Sequence, residues 1–560
     1  MTVTTTNPVT TELVRTAFAA AADGMEAVLV RMAKSFLTYT VRDYAVALID
    51  SEYRLLGQSV ACPCFFGNLL GSCTALIARK YGPDVWQQGD VWAVNDSYVT
   101  GTHLPDVVVI KPIFSDGTLV GFAACLVNWL DIGSKSGSFF GDDSTEIFGE
   151  GIRITPIRVV EGGARCPDVI DLICGSGRYP DYNFGDLDAQ IACVDVGHDM
   201  LLAAVARYGL ADVLTARDAL FAAADQFERA AVAAIPDGSY YAEGCIDDDG
   251  VSGQPAWVRM TVDVSGEHMT IDLSATDDAR PGPVNCGEAQ GVAAARWAYE
   301  TIVSAGRPID CGGFEPLTVI VREGSMLAAT APSPCSVFFR SLSLLVDLLG
   351  LALKDAIPRD VVAASYDDAI LLITGVDDAA GLPFMHIESV VGGWGAWEGG
   401  DGQDALISNV QGDLKNVSIE ESETKNPIRV TQYRLRADSG GAGKWRGGNG
   451  VVRDLLIESD NATLTVLFER SLTPVWGIRG GEDAMTSVVV INPGRPDERR
   501  LQLCSNEPLR RGDVVRALTG GGGGYGDPRE RDGDLVRNEV RNNAVTVESA
   551  RELYGLQMAP

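Results

Sequence analysis

Residues 95–133 read NDSYVTGTHLPDVVVIKPIFSDGTLVGFAACLVNWLDIG, and they set the style of the first part of the chain. Two apolar runs, DVVVIKPIF and DGTLVGFAACLVNWLDIG, meet at Asp116-Gly117, a dipeptide suited to a tight hairpin turn. Both runs are short and rich in β-branched and aromatic residues, which predicts strands. A polar, turn-rich loop carrying His103 and Asp106 stands directly before the first of them. Upstream, RDYAVALIDSEYRLLGQSV reads as a strand, a polar turn and a second strand, with Asp43 and Asp50 at or near strand ends. WAVNDSYV and GIRITPIRVV continue in the same style, while residues 10–37 space apolar residues three and four apart, as amphipathic helix does.

Further along, the period changes. Residues 200–235 predict two consecutive helices, interrupted at Gly209 and stopped by Pro236-Asp237-Gly238. WVRMTVDVSGEHMTIDLSAT predicts a strand pair, and VAAARWAYETIVSAG and SLLVDLLGLALKDAIP two more helices. Beyond about residue 390 glycine is frequent and the strands are short, until a last helix at VESARELYG. The expectation is therefore an α+β, multi-domain chain: a mixed, sheet-rich region over 1–199, a helix-rich middle with a strand pair over 200–390, and a β-rich, Gly-rich region over 391–560.

Composition narrows the function. Hydrophobic residues make up 46% and charged residues 22%, which suits a folded globular chain. The 76 acidic residues exceed the 45 basic ones, and the resulting net charge of -31 repels nucleic acid and anionic lipid. The sequence holds no unbroken apolar run of membrane-spanning length, and the start MTVTTTNPVT lacks the basic-then-apolar pattern of a secretory signal. Twelve cysteines lie scattered, with Cys62-Pro63-Cys64 the one close pair, a spacing unlike CxxC sites. Reduced thiols and a cytoplasmic location are the expectation.

Among candidate chemistries, histidine is informative because there are four: His103, His198, His268 and His386. His103 and Asp106 lie within one turn of chain, close enough to share a divalent ion or to form a structural hydrogen bond. Asp131 leaves an apolar run just before Gly133, a strand-end position where functional carboxylates occur. The glycine tract 520–524 lacks the lysine and hydroxyl of a phosphate loop, and neither GxxxxGK[ST] nor GxSxG occurs in the chain. Such a tract suits close approach of backbone to another segment.

Several longer pieces carry a resemblance: GDVWAVNDSYVTGTHLPDVVVIKPIF, EGIRITPI, GDLDAQIA, IPDGSYYAEGCIDDDG, GPVNCGEAQ, RADSGGAGKWRGGNGVVRD, GGGGYGDPRERD and the terminal SARELYG. Together they resemble the hydantoinase B/oxoprolinase family nearly end to end. That resemblance implies an enzyme subunit working with a hydantoinase A type partner, which binds ATP and phosphorylates the substrate, in a hetero-oligomer. It implies a divalent metal ion, Zn, Mn or Mg, with a ligand pattern that falls on Asp43, His103, Asp106 and the position of Asn128. Asn128 stands where the family has histidine, Ser134 replaces a glycine, and Pro308-Ile309-Asp310 carries aspartate where asparagine is common. An amide oxygen is a harder, weaker ligand than imidazole, which leans the site toward Mn²⁺ or Mg²⁺ or leaves it under-coordinated; the metal persists on Asp43, His103 and Asp106 with Asn128 or water completing the shell, is lost, or is held with another residue such as Asp131. The implied reaction is hydrolysis of a lactam, hydantoin or oxoproline-like ring, with Asp131 as a candidate general base. ATP-dependent carboxylation of a ketone and a non-catalytic scaffold role are the alternatives.

Overall fold

The computed structural model describes residues 7–59, 62–135, 143–304, 309–412 and 414–557. Four sheets organise them. The first contains β1 (Tyr44–Asp50), β2 (Leu55–Gln58), β3 (Val91–Val94), β4 (Asp106–Ser115), β5 (Thr118–Asn128), β6 (Ile157–Glu161) and β7 (Ala164–Arg165), in the order β2-β1-β5-β4-β3-β6-β7. Every pairing in it is antiparallel. Asp116 and Gly117 turn between β4 and β5 with φ of 48° and 79°, the left-handed angles of a two-residue hairpin. The strand expected from GIRITPIRVV is confined to Ile157–Glu161, because residues 151–156 run as irregular chain.

The unbroken apolar runs of β4 and β5 follow from burial on both faces. Ala45, Ala47, Ile49, Phe122, Ala124 and Leu126 belong to one apolar cluster, while Val46, Leu48, Ala123, Cys125 and Val127 belong to another. Successive side chains thus enter opposite cores, and no face is left for polar residues. One face is covered by α1 (Pro8–Met32), whose Phe18, Met25 and Leu29 join the cluster. The other face meets α2 (Leu69–Tyr81). The helix beginning near Met200 extends much further upstream than expected, as Pro180–Tyr208, and ends at Gly209 before a second helix, Leu210–Ala233. By length and composition the first of these could cross a membrane, but here Leu187, Val194 and Leu201 pack under the first sheet.

The middle of the chain adds β8 (Gly238–Ile246), β9 (Ala256–Ser265), β10 (His268–Asp272) and β11 (Leu317–Ile320), with helices Glu288–Ile302 and Leu342–Leu353 in the same core. Two further sheets follow. One is ordered β13-β12-β16-β19, from β12 (Ala369–Val376), β13 (Pro383–Ser389), β16 (Asn461–Phe468) and β19 (Leu503–Leu509). The other is ordered β14-β15-β20-β17-β18, from β14 (Ile428–Leu435), β15 (Val451–Ile457), β17 (Val488–Ile491), β18 (Arg499–Leu501) and β20 (Val514–Leu518). Leu371, Leu464 and Val466 from the first pack with Leu455, Val489 and Val515 from the second. The glycine tract lies against other backbone: a Cβ on Gly522 would sit 1.9 Å from the Trp394 carbonyl oxygen, and Gly522 donates to Gly448. The mixed α+β architecture with several sheets is the one expected from the sequence.

Candidate functional site

Three neighbouring strands end side by side. β5 lies between β1 and β4, Tyr44 is opposite Val127, and Asp106 is opposite Asn128. Asp43, one residue before β1, therefore falls beside Asn128, whose N–H approaches the Asp43 carbonyl oxygen at 3.4 Å. Antiparallel register alone collects Asp43, Asn128 and Asp106 on one edge, although 85 residues separate the first two. Asp43 is turned into place by a five-residue π turn, Leu37–Val41, closed by Arg42 at φ 68°. His103 arrives from the loop before β4. That loop begins at the short helix Ser97–Thr100, which Gly101 ends with φ 87°.

The side chains contact one another. His103 Nε2 is 3.1 Å from Asp106 Oδ1. Asn128 Nδ2 donates to Asp43 Oδ2 at 2.9 Å and lies 3.4 Å from His103 Nε2. His103 Nδ1 is 3.0 Å from the Ser336 carbonyl oxygen, which can only accept, so Nδ1 carries hydrogen. Nε2 then faces a carboxylate oxygen, and a cation, either a proton or a metal ion, must stand between them. His103, Asp106 and Asn128 are buried, and Asp43 is partly buried. Burial, followed by the charge of Asp106, pushes the Asp43 carboxyl up to about 7, against the opposing pull of His103 and the Asn128 hydrogen bond. Burial would depress His103, but the charge of Asp106 and its hydrogen bond raise it.

These donors suit a divalent ion chemically. Two carboxylates and an imidazole share one wall, and the buried Asp106 Oδ2 and Asn128 Oδ1 have no hydrogen-bond partner. Among the described residues, no three His, Cys, Asp or Glu side chains converge as they stand to hold an ion. The Asn128 amide occupies the space between Asp43 and His103, with its nitrogen inward. Turning that amide about its terminal bond would present its unpartnered oxygen instead. With that turn, the donor types at Asp43, His103, Asp106 and Asn128 are ones a divalent ion takes.

Asp131 lies elsewhere. Its Oδ1 pairs with Arg178 Nη1 at 2.8 Å, and its Oδ2 accepts from the backbone N–H groups of Gly133 and Arg178. It does not line the cavity described below, and its contacts tie the end of β5 to residues 176–178. Among the described residues these contacts give it a structural task. The Arg178 guanidinium also holds the Ser134 carbonyl oxygen. Pro308 lies outside the described residues; Asp310 caps the turn Cys311–Phe314 by accepting from Gly312 N–H. His198 pairs with Asp199 in mid-helix, and His268 meets Thr318 in the second sheet.

The four clustered residues form one end of a cavity with about 650 Å³ of space between atoms, its open mouth included. The cavity separates the edge of the first sheet from the third sheet, which contributes Ile370, Ile387 and Ser389. Phe65, Phe338, Phe339 and Ile407 make its walls largely apolar, and Gln411, Lys415 and Asn416 add polar groups. Cys62 and Cys64 also face it, their sulfurs 3.1 Å apart, and burial raises both thiols above their ordinary range. Sequence reasoning left Gln411, Ser389 and the two cysteines out of the site, since nothing local marks a residue that reaches the cavity from a distant part of the chain.

The hydantoinase B/oxoprolinase family model matches residues 7–528. The B subunit of a putative D-/L-hydantoinase from Pseudomonas sp. (strain NS671) is 28% identical, over 98% of this chain and 95% of its own length. The beta subunit of the Pseudomonas jessenii caprolactamase is also 28% identical, over 99% and 96%. The crystal structure of the ATP-dependent caprolactamase from the same organism superposes with a TM-score of 0.91, covering 99% of this chain and 97% of that one. Nucleotide-free acetone carboxylase shares the fold, with a TM-score of 0.88 at 17% identity over 99% and 80%. The chain belongs to the hydantoinase B/oxoprolinase family.

Proposed function

We propose that this chain is the metal-bearing, ring-opening subunit of an ATP-dependent cyclic amide hydrolase. It would act on a lactam, hydantoin or oxoproline-like ring after a hydantoinase A type partner has bound ATP and phosphorylated the ring amide. The observation that carries the reading is the gathering of Asp43, His103, Asp106 and Asn128 at one end of a cavity walled mostly by carbon. Two relatives named as subunits, one of a hydantoinase and one of a caprolactamase, support a hetero-oligomer and a ring-opening reaction. A cytoplasmic location, where ATP is available to the partner, belongs to the same proposal.

An amide is a poor electrophile because nitrogen donates into its carbonyl, and phosphorylation of the oxygen removes that protection. The chain's task is then to hold the ring, limit water and manage protons. Phe65, Phe338, Phe339, Ile370 and Ile387 suit the ring's carbon surface and exclude bulk water. Gln411 and Asn416 offer hydrogen bonds to its polar edge. Asp43 or Asp106 would accept the proton of the attacking water as its oxygen bonds to the ring carbon. The His103–Asp106 pair would return a proton to the ring nitrogen as the carbon–nitrogen bond breaks, leaving an acyl phosphate from which a second water releases phosphate. A divalent ion bound by Asp43, His103, Asp106 and Asn128 would supply Lewis acidity toward oxygen there.

Turnover by the chain reconstituted with its ATP-binding partner tests the proposal. ATP-dependent ring opening should be lost with chelator, restored by Mn²⁺ or Zn²⁺, and absent in His103→Ala. Carboxylation of a ketone with bicarbonate, in place of ring opening, would replace the reading.

A further inference from the structure

Glu150 is buried and reaches His103 through the backbone of Ser336. Its Oε1 accepts from the N–H groups of Cys335 at 2.9 Å and Ser336 at 3.0 Å, and its Oε2 lies 3.1 Å from the Cys335 nitrogen. Those partners are 185 and 186 residues away in sequence, so one carboxylate joins two distant loops. The same loops meet again where Ile147 donates to the Pro332 carbonyl oxygen at 2.9 Å. Ser336 is thereby held from both sides: Glu150 takes its N–H, and its carbonyl oxygen takes the hydrogen of His103 Nδ1.

We propose that Glu150 is a positioning residue for the candidate site, fixing the tautomer and ring orientation of His103 through the backbone of Ser336. A neutral imidazole can bind a cation through Nε2 only if its proton stays on Nδ1, and the Ser336 carbonyl enforces that choice. A carbonyl on a loose loop would enforce it poorly. Glu150 removes the looseness, because a buried carboxylate accepting backbone N–H groups is costly to displace. Phe338 packs edge-on against the imidazole, with ring centres 5.2 Å apart, and limits rotation from the cavity side. Asp106 and Asn128 address Nε2, so the ring is constrained at both nitrogens. The role in ion binding rests on the proposed function; the effect on the His103 ring does not.

The test uses the full chain, with histidine labelled by ¹⁵N, and Mn²⁺ alone as the probe. With four histidines in the sequence, the His103 resonances can be assigned by difference against His103→Gln. In Glu150→Ala the His103 Nδ1 signal should shift toward a mixture of tautomers while His198, His268 and His386 stay put. Mn²⁺ affinity, read by electron paramagnetic resonance, should fall about ten- to a hundredfold. Glu150→Gln, which retains one acceptor oxygen, should rescue both readings. If Glu150→Ala does not fold, Glu150→Asp, which withdraws the carboxylate by one carbon, is read in its place. An unmoved His103 signal in the folded variant overturns the inference. Failure of the unsubstituted chain to bind Mn²⁺ would overturn the ion-binding half together with the proposed function, and the nitrogen resonances would still decide the positioning claim.

Discussion

Replacing Asp43 by asparagine should stabilise the protein in the absence of metal, a direction opposite to most substitutions at buried polar sites. Burial and the Asp106 charge hold the Asp43 carboxyl at about 7, against an ordinary value of 3.8. A carboxyl raised in the fold is penalised in its charged form. The penalty is absent below the unfolded value, grows as pH rises, and is complete above about 7. At 1.36 kcal/mol for each tenfold step it reaches about 4 kcal/mol at pH 8 and less than half of that at pH 5. Screening at this partly exposed position brings the pH 8 figure down toward about 2 kcal/mol. Asparagine retains an oxygen to accept from Asn128 Nδ2, so the substitution removes charge with little change of shape. Urea unfolding in chelator should therefore show Asp43→Asn more stable than the unsubstituted chain at pH 8, with the margin cut by more than half at pH 5. Saturating Mn²⁺ should reverse the order, because an ion stabilises only the form that binds it. Equal or lower stability of the variant at pH 8 in chelator would refute the idea that burial beside Asp106 penalises the charged Asp43 when no metal is bound.

Asp131→Ala should cost about 2–3 kcal/mol through loss of hydrogen bonds to a charged acceptor, seen as a lower urea midpoint, while Mn²⁺ affinity stays unchanged. A large loss of Mn²⁺ binding there would return Asp131 to the site. Gly101→Ala should destabilise by more than about 2 kcal/mol, because its φ of 87° is strained for alanine and the new Cβ would lie 2.4 Å from the Gln290 nitrogen. Since the loop carrying His103 turns at that glycine, Mn²⁺ affinity should fall with stability in the same variant.

The sheet holding the site was legible because local signals agreed there. Asp116-Gly117 fits only a tight turn, and the flanking runs are too short and too β-branched for helix. The turn alone would pair Asp106 with Val127; the one-residue bulge at Ile113 and Phe114 is what brings it opposite Asn128, and that step was not legible in the sequence. The helical reading began at Met200, whereas the helix runs Pro180–Tyr208 and carries Gly185 and Gly197 within it. Gly197 permits close packing, since a Cβ there would be 2.5 Å from Met25 Sδ. Asp131 looked available because its partner, Arg178, is 47 residues away and nothing local announces the pair. Glu150 escaped notice for a related reason: it acts on backbone groups, which leave no mark on side-chain spacing. Ile370, Ile387 and Gln411 reach the cavity only because separate sheets meet, which periodicity within a strand cannot report.

Diffraction at the manganese absorption edge, from crystals of the full chain grown with Mn²⁺, tests the central claim most directly. One anomalous peak should lie about 2.2 Å from His103 Nε2 and from oxygens of Asp43 and Asp106, with the Asn128 amide turned oxygen-inward. No peak at the ends of β1, β4 and β5, or a peak bound by other residues, would contradict it.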